Sequence, residues 1–194
     1  MRYLLTMGLL AVAAPALAES VWDIDPAHTS VQFSIRHMMI SNVRGEFTKV
    51  SGTVRGDEAD PAHAQVEASI ETSSIDTREP KRDEHLRSPD FLDVAKYPTM
   101  TFKSKKIEKT GDRRYKVTGD LTLHGMTREV VLDVEGPTAP MKDPRGSLRA
   151  GAEATAKINR QDFGIAWSKT LDGGGVMVGD EVAITIDVEG VKKP

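Results

Sequence analysis

From Val31 onward, hydrophobic and polar side chains alternate one by one: Val31, Phe33 and Ile35 share one parity, while Gln32, Ser34 and Arg36 share the other. A period of two puts each set on its own face of an extended chain, so this stretch predicts a half-buried β-strand. The same period returns in Val66, Ala68 and Ile70, in Met100 and Phe102, in Val117 with Leu121 and Leu123, and in Val130, Leu132 and Val134. It returns once more in Val182, Ile184, Ile186 and Val188. Turn-forming residues separate the runs at Thr110-Gly111-Asp112, His124-Gly125 and Gly173-Gly174-Gly175. Many short strands punctuated in this way predict an all-β antiparallel sandwich or barrel. With no internal repeat and no shift of composition, residues 19–194 read as one domain.

One stretch departs from the pattern. Arg78 to Ser88 is strongly charged and lacks alternation, with Pro80 near its start and Pro89 just beyond its end. This predicts a short helix around residues 79–88 lying across the barrel.

The strand from Leu148 to Ile158 bears on what the barrel holds. Its expected inward set is Leu148, Ala150, Ala152, Ala154, Ala156 and Ile158, while Arg149, Glu153 and Lys157 face the other way. Four alanines in a row on an inward face leave space. Either that space is a cavity for one ligand, or large residues on facing strands, such as Phe33 or Phe102, fill it.

Composition sets the compartment and the partners. Arg2, the apolar stretch Leu4 to Leu17 and the triplet Ala16-Leu17-Ala18 read as a secretory leader cleaved after Ala18. The apolar run, interrupted by Pro15, falls short of the roughly 20 residues of a spanning helix. Cys is absent, so disulfides, thiol chemistry and Cys-based metal sites are excluded, and such a leader on such a chain points to a bacterial periplasm. Lys and Arg number 26 against 29 Asp and Glu, a net charge of −3, and loss of Arg2 with the leader makes the chain more acidic still. A nucleic-acid partner is therefore not expected.

No nucleophile elbow, P-loop, dinucleotide fingerprint or H-E-x-x-H motif is present, and no catalytic set is expected. The nearest reactive cluster is Arg82-Asp83-Glu84-His85, where His85 is a candidate base. None of the five histidines forms an i, i+4 pair, so no metal site is expected, although His28 and His37 are placed to meet across a strand end. His37 has the parity of Val31, Phe33 and Ile35 and ends an apolar inward row. It is either a core residue bonded to a carbonyl or carboxylate, or a polar group fixing the head of an amphipathic ligand. Asn159 and Arg160 either donate to a ligand at the barrel mouth or pin a loop, with Arg160 paired to Asp162 or Asp83.

In chain order, the sequence carries Asp25-Pro26-Ala27-His28-Thr29-Ser30, the strand Val31 to Met38, and Val43-Arg44-Gly45-Glu46-Phe47. Then come Ser74-Ile75-Asp76-Thr77, Arg82 to Ser88, Asp90 to Val94 and Tyr97-Pro98, followed by Gly119 to Thr127 and Asn159 to Ile165. This ordered set, covering nearly the whole chain after the leader, resembles the YceI family of polyisoprenoid-binding-like bacterial proteins. The resemblance implies an extended, lipocalin-like antiparallel barrel in the periplasm, whose interior takes the isoprenoid tail of a quinone or polyprenyl compound. The expected role is non-catalytic binding, transport or storage, with no cofactor beyond the lipid. The expected tunnel lining is Phe33, Ile35, Met100, Phe102, Leu121, Val130, Leu132, Ala152, Ala154, Ile184 and Ile186. His37, Arg82, Asp83, Asn159 and Arg160 are the candidates for the polar end. The rivals are an enzyme using His85 or His37 on a lipidic substrate and a fully packed stress-response barrel; a homodimer through the barrel mouth is left open.

Overall fold

The computed structural model describes residues 19–194; the expected leader, residues 1–18, lies outside them. In chain order, β1 spans Ser20–Ile24, β2 Ser30–His37, β3 Ser41–Phe47, β4 Val50–Gly56, β5 Gln65–Glu71 and β6 Ile75–Asp76. The helix α1 spans Pro80–Arg87. Next come β7 Thr99–Gly111, β8 Arg114–Leu123, β9 Met126–Glu135, β10 Met141–Lys142, β11 Leu148–Asn159 and β12 Val178–Lys192. The pairings are antiparallel throughout. Eight strands close a ring in the order β1, β4, β5, β7, β8, β9, β11, β12 and back to β1. The fold is the antiparallel barrel that the alternation predicts.

The seam of the barrel is β12. One of its edges pairs with β11 from Glu181 to Val191. The other pairs first with β2, from Val178 to Asp187, and then with β1, from Gly190 to Lys192. From β2 the sheet runs on through β3 to the short β6, which widens one end of the barrel. That end carries α1. Pro80 opens the helix where a missing N–H costs nothing, and Glu79 caps it by accepting a hydrogen bond from the Lys81 amide. Arg87 ties α1 to the sheet by donating to the carbonyls of Ser73 and Ile75.

Two glycines show how local sequence shapes the wall. His124 and Gly125, at φ 52° and 72°, form the tight β8–β9 turn, for which successive positive φ values match the twist of the strands. At Gly119, a Cβ atom would stand 2.4 Å from Phe102 Cζ and 2.5 Å from the Lys103 carbonyl oxygen, so glycine is what lets the Phe102 ring lie against β8.

The packed core is off-centre. Ile75, Phe91, Leu92, Met100, Leu123, Phe163 and Ile165 are buried together, and they come from strand ends and loops at the α1 end. Outside, opposite charges pair across neighbouring strands: Lys103 with Glu67 at 2.8 Å, Lys116 with Asp133 at 2.8 Å and Lys157 with Glu181 at 2.9 Å. A charged exterior around an apolar interior is the inverse of a membrane-spanning barrel, whose outer band is apolar. Among the described residues no helix is long and apolar enough to cross a membrane.

Candidate functional site

Because successive strand residues point to opposite faces, the inward parity of the ring converges on one cavity of about 970 Å³. Every apolar residue expected to line it does so: Phe33, Ile35, Met100, Phe102, Leu121, Val130, Leu132, Ala152, Ala154, Ile184 and Ile186. The alanine row lies on the wall, with Ala150, Ala152, Ala154, Ala156 and Ile158 all lining the space. Leu148 is the exception in that row: it pairs with Lys142 of β10 and is not part of the lining. Phe33 and Phe102 line the same cavity without filling it. A barrel packed solid is therefore overturned.

The lining reaches solvent at both ends. At one end it includes the exposed Ala59, Lys109, Arg113, Pro137 and Ala139. At the α1 end it includes His37, Arg82, His85, Trp167 and Met177. The His85 ring donates through Nε2 to the Asp90 carboxylate at 2.9 Å. It stands edge-on to both Phe91 and Trp167, with ring centroids 5.0 Å away in each case. A histidine held by a carboxylate has the form of a general base, but what surrounds it is aromatic. The mouth is thus an apolar frame carrying a few polar groups, the usual form of a site that orients one end of a ligand.

Of the five residues expected at the polar end, the structure brings His37, Arg82 and Arg160 to the cavity and places Asp83 and Asn159 elsewhere. Arg82 is partly committed: its Nε donates to Thr77 Oγ1 at 2.8 Å and its Nη2 to the Thr77 carbonyl at 2.9 Å. Asp83 is buried away from the cavity, where it accepts from the Thr77 amide at 2.9 Å and the Thr77 hydroxyl at 2.5 Å. Asn159 is exposed and caps the turn Arg160–Phe163 by accepting from the Gln161 amide.

Arg160, 3% exposed, touches the cavity but has no donor to spare. It donates to the carbonyls of Ile165, Trp167, Val178 and Gly179 and to Asp180 at 3.0 Å. Its carboxylate partner is therefore Asp180, not Asp162 or Asp83. Burial lowers the pKa of this guanidinium, and Asp180 opposes that shift. Its role is to fasten the segment carrying Trp167 to β12.

His28 and His37 do not meet. His28 sits at the other end of β2, 2.8 Å from Asp25. Asp25, His28 and Glu189 converge as metal ligands would, but the Arg149 guanidinium bonds both carboxylates and already supplies the cation. Arg149 also bonds Asp143 at 2.9 Å. This cluster joins the start of β11 to the end of β1 and to β12. Trp167 and His85 are among the lining residues that the alternation did not point to, as are Trp22, Val50 and Phe91, although Phe163, Ile165 and Trp167 continue a period of two through Gly164.

A profile of the YceI-like domain matches residues 22–190. The chain is 41% identical to protein YceI of Escherichia coli O157:H7 over 191 residues, covering 97% of this chain and 96% of that one. It is 39% identical to a UPF0312 protein of Vibrio cholerae over 168 residues, covering 84% and 88% of the two chains. Among solved structures, the YceI protein of Campylobacter jejuni superposes with a TM-score of 0.69 at 34% identity, covering 82% of this chain and 90% of that one. BcnA of Burkholderia cenocepacia gives 0.72 at 25% identity, covering 86% and 98%. A polyisoprenoid binding domain from Saccharophagus degradans, implicated in plant cell wall breakdown, gives 0.64 at 16% identity, covering 92% and 100%. Matched along its length in sequence and in strand architecture, the chain belongs to the YceI-like family.

Proposed function

We propose that the protein binds one long isoprenoid lipid, of the polyprenyl or quinone type, in the barrel tunnel and carries or stores it in the periplasm without catalysing a reaction. The observation that carries this reading is the apolar cavity open to solvent at both ends. If a carbon group takes roughly the ~30 Å³ of a water molecule in the liquid, 970 Å³ holds on the order of thirty carbons. At ~0.3 kcal/mol per atom, usual for large ligands, such a chain gains about 9 kcal/mol, a Kd below roughly 1 μM. The Saccharophagus degradans domain has the same fold and is described as polyisoprenoid binding; the cavity's chemistry brings that cargo class to this chain. The leader read at residues 1–18 and the absence of Cys support the periplasm. There, a water-soluble sleeve removes from water a tail whose exposure costs ~0.8 kcal/mol per methylene.

The head group belongs at the α1 end, where His37, Arg82, His85 and Trp167 frame the mouth. Native mass spectrometry of protein purified from its own compartment, followed by organic extraction, tests the proposal. A single added mass matching an isoprenoid is expected. A lipid-free extract, together with no binding of added prenols or quinones, overturns it. The rival reading, turnover of a lipid at His85 held by Asp90, predicts that His85→Gln keeps lipid binding and loses a measurable reaction.

A further inference from the structure

We infer that the tip of the β2–β3 hairpin docks on an anionic phospholipid bilayer and sets the tunnel mouth against it. The connection between the two strands is Met38-Met39-Ile40, whose residues are 39%, 54% and 76% exposed. Val176, on the neighbouring loop, is 39% exposed. The Met38 amide donates to the Met177 carbonyl at 2.8 Å, and Met39 Cγ lies 3.7 Å from where a Gly175 Cβ would stand. The tip and that loop therefore form one apolar surface.

Turn geometry does not account for these residues. Met38 and Met39 have φ of 50° and 63°, a conformation that Asn and Gly adopt readily and that methionine adopts at a cost. The chain thus keeps two long apolar side chains in water, in a backbone conformation they disfavour. A bilayer supplies what folding does not.

The patch is continuous with the tunnel, because His37 before the tip and Met177 beside it both line the cavity. Cations flank it. Arg36 is exposed and bonds Asn42, and Lys169 is exposed with Nζ 5.9 Å from the Trp167 ring. Neither is in an ion pair among the described residues. The Lys169 carbonyl accepts from the Met177 amide at 2.8 Å, which places it on the next stretch of backbone beyond Met177. The acids at this end include Asp172, out on the turn of the same loop, Asp90, which is engaged by His85, and Asp180, which is engaged by Arg160. Four apolar side chains are far from the roughly 800 Å² per partner of a stable protein interface, but they suit shallow insertion beside basic residues at a lipid surface.

The inference deepens the proposed lipid cargo by naming where it is collected, yet docking can be measured without cargo. Flotation of the purified protein with vesicles of phosphatidylethanolamine and phosphatidylglycerol, and with phosphatidylcholine alone, is the test. Wild-type protein is expected to favour the anionic vesicles. The triple variant Met38→Asn, Met39→Gly, Ile40→Ser should float about tenfold less or worse, with a melting temperature at or above wild type because the turn is relieved. It should still bind a prenol delivered in detergent, but take it up more slowly from vesicles. Met141→Ser, which alters a methionine 72% exposed beside the opposite mouth, should change nothing. Unchanged flotation of the triple variant, loss of flotation with Met141→Ser, or a tip-dependent dimer by light scattering would each overturn the inference. Protein that floats through the tip but binds no prenol from either source supports docking and removes the cargo reading alone.

Discussion

Replacing both Ala152 and Ala156 with phenylalanine is expected to obstruct the tunnel without harming the barrel. Both alanines line the cavity, and they pair with Val188 and Ile184 of β12, so two rings would enter from the same wall at separate levels. Twelve added carbons at roughly 20–30 Å³ each take on the order of 300 Å³ from the 970 Å³ available. Cargo then loses about ten carbons of contact, which at ~0.3 kcal/mol per atom is about 3 kcal/mol, or roughly a hundredfold in Kd. Stability should move the opposite way. A side chain that fills open apolar space typically adds ~0.5–2 kcal/mol, whereas one forced into a packed core costs ~1–3 kcal/mol. For a chain of this size each kilocalorie corresponds to about 2–4 °C in Tm. Prenol titration and a thermal melt of the lipid-free double variant therefore read two independent signs. A melt lowered by several degrees with unchanged prenol affinity would refute the reasoning, because it would mean that the alanines face packed atoms and that the lipid lies elsewhere.

Arg160→Met should cost about 3 kcal/mol or more in urea unfolding, since it strands the carbonyls of Ile165, Trp167, Val178 and Gly179; a loss below about 1 kcal/mol would show that this segment is held by other means. Trp22 and Trp167, the two tryptophans of the chain, both line the tunnel. With the head group at the α1 end, a quinone should quench Trp167 far more than Trp22, so Trp167→Phe abolishes most of the quenching, and the opposite result reverses the cargo's orientation. Arg149 and His28 hold the Asp25 carboxyl far below its ordinary 3.8, and Arg149 also lowers that of Asp143. A depressed carboxylate stabilises the fold above its unfolded pKa, and that contribution is lost as pH falls through the folded value. Acid unfolding should therefore set in below about pH 4, and Arg149→Gln should move its midpoint upward; an unmoved midpoint would exclude the cluster from acid stability.

The wall of the barrel was legible because a period of two is a direct consequence of strand geometry: once Phe33 or Ile184 is placed inside, its neighbours at every second position follow. The short strands β3 and β4 were harder to read, since Gly45 and Gly52 occupy inward positions where an apolar side chain would have signalled burial. Whether the alanine row faced a void depended on what stood across from it, which one strand's sequence does not contain. The polar end was the least legible part. Arg160, Asp83 and Asn159 have the side chains a ligand would need, but backbone groups of Thr77, Gln161, Ile165 and Val178 claim them first. The positions of such groups follow only from the tertiary path. His37 and Arg82 reach the cavity because one continues a strand's inward parity and the other lies on the helix that crosses the opening.

The seam at β12 has a bearing on how the protein is made. Its residues pair with β1 near the start of the described chain, with β2, and with β11 just before it. A ring joined by partners so distant in sequence has a high contact order, which places its folding in the slow, millisecond-to-second range. Until β12 docks, the apolar faces of β2 and β11 have an unpaired edge beside them, the arrangement most prone to mispairing between chains. The interval before closure is therefore when the chain most needs shielding by a chaperone, and also when its interior is most open to a lipid.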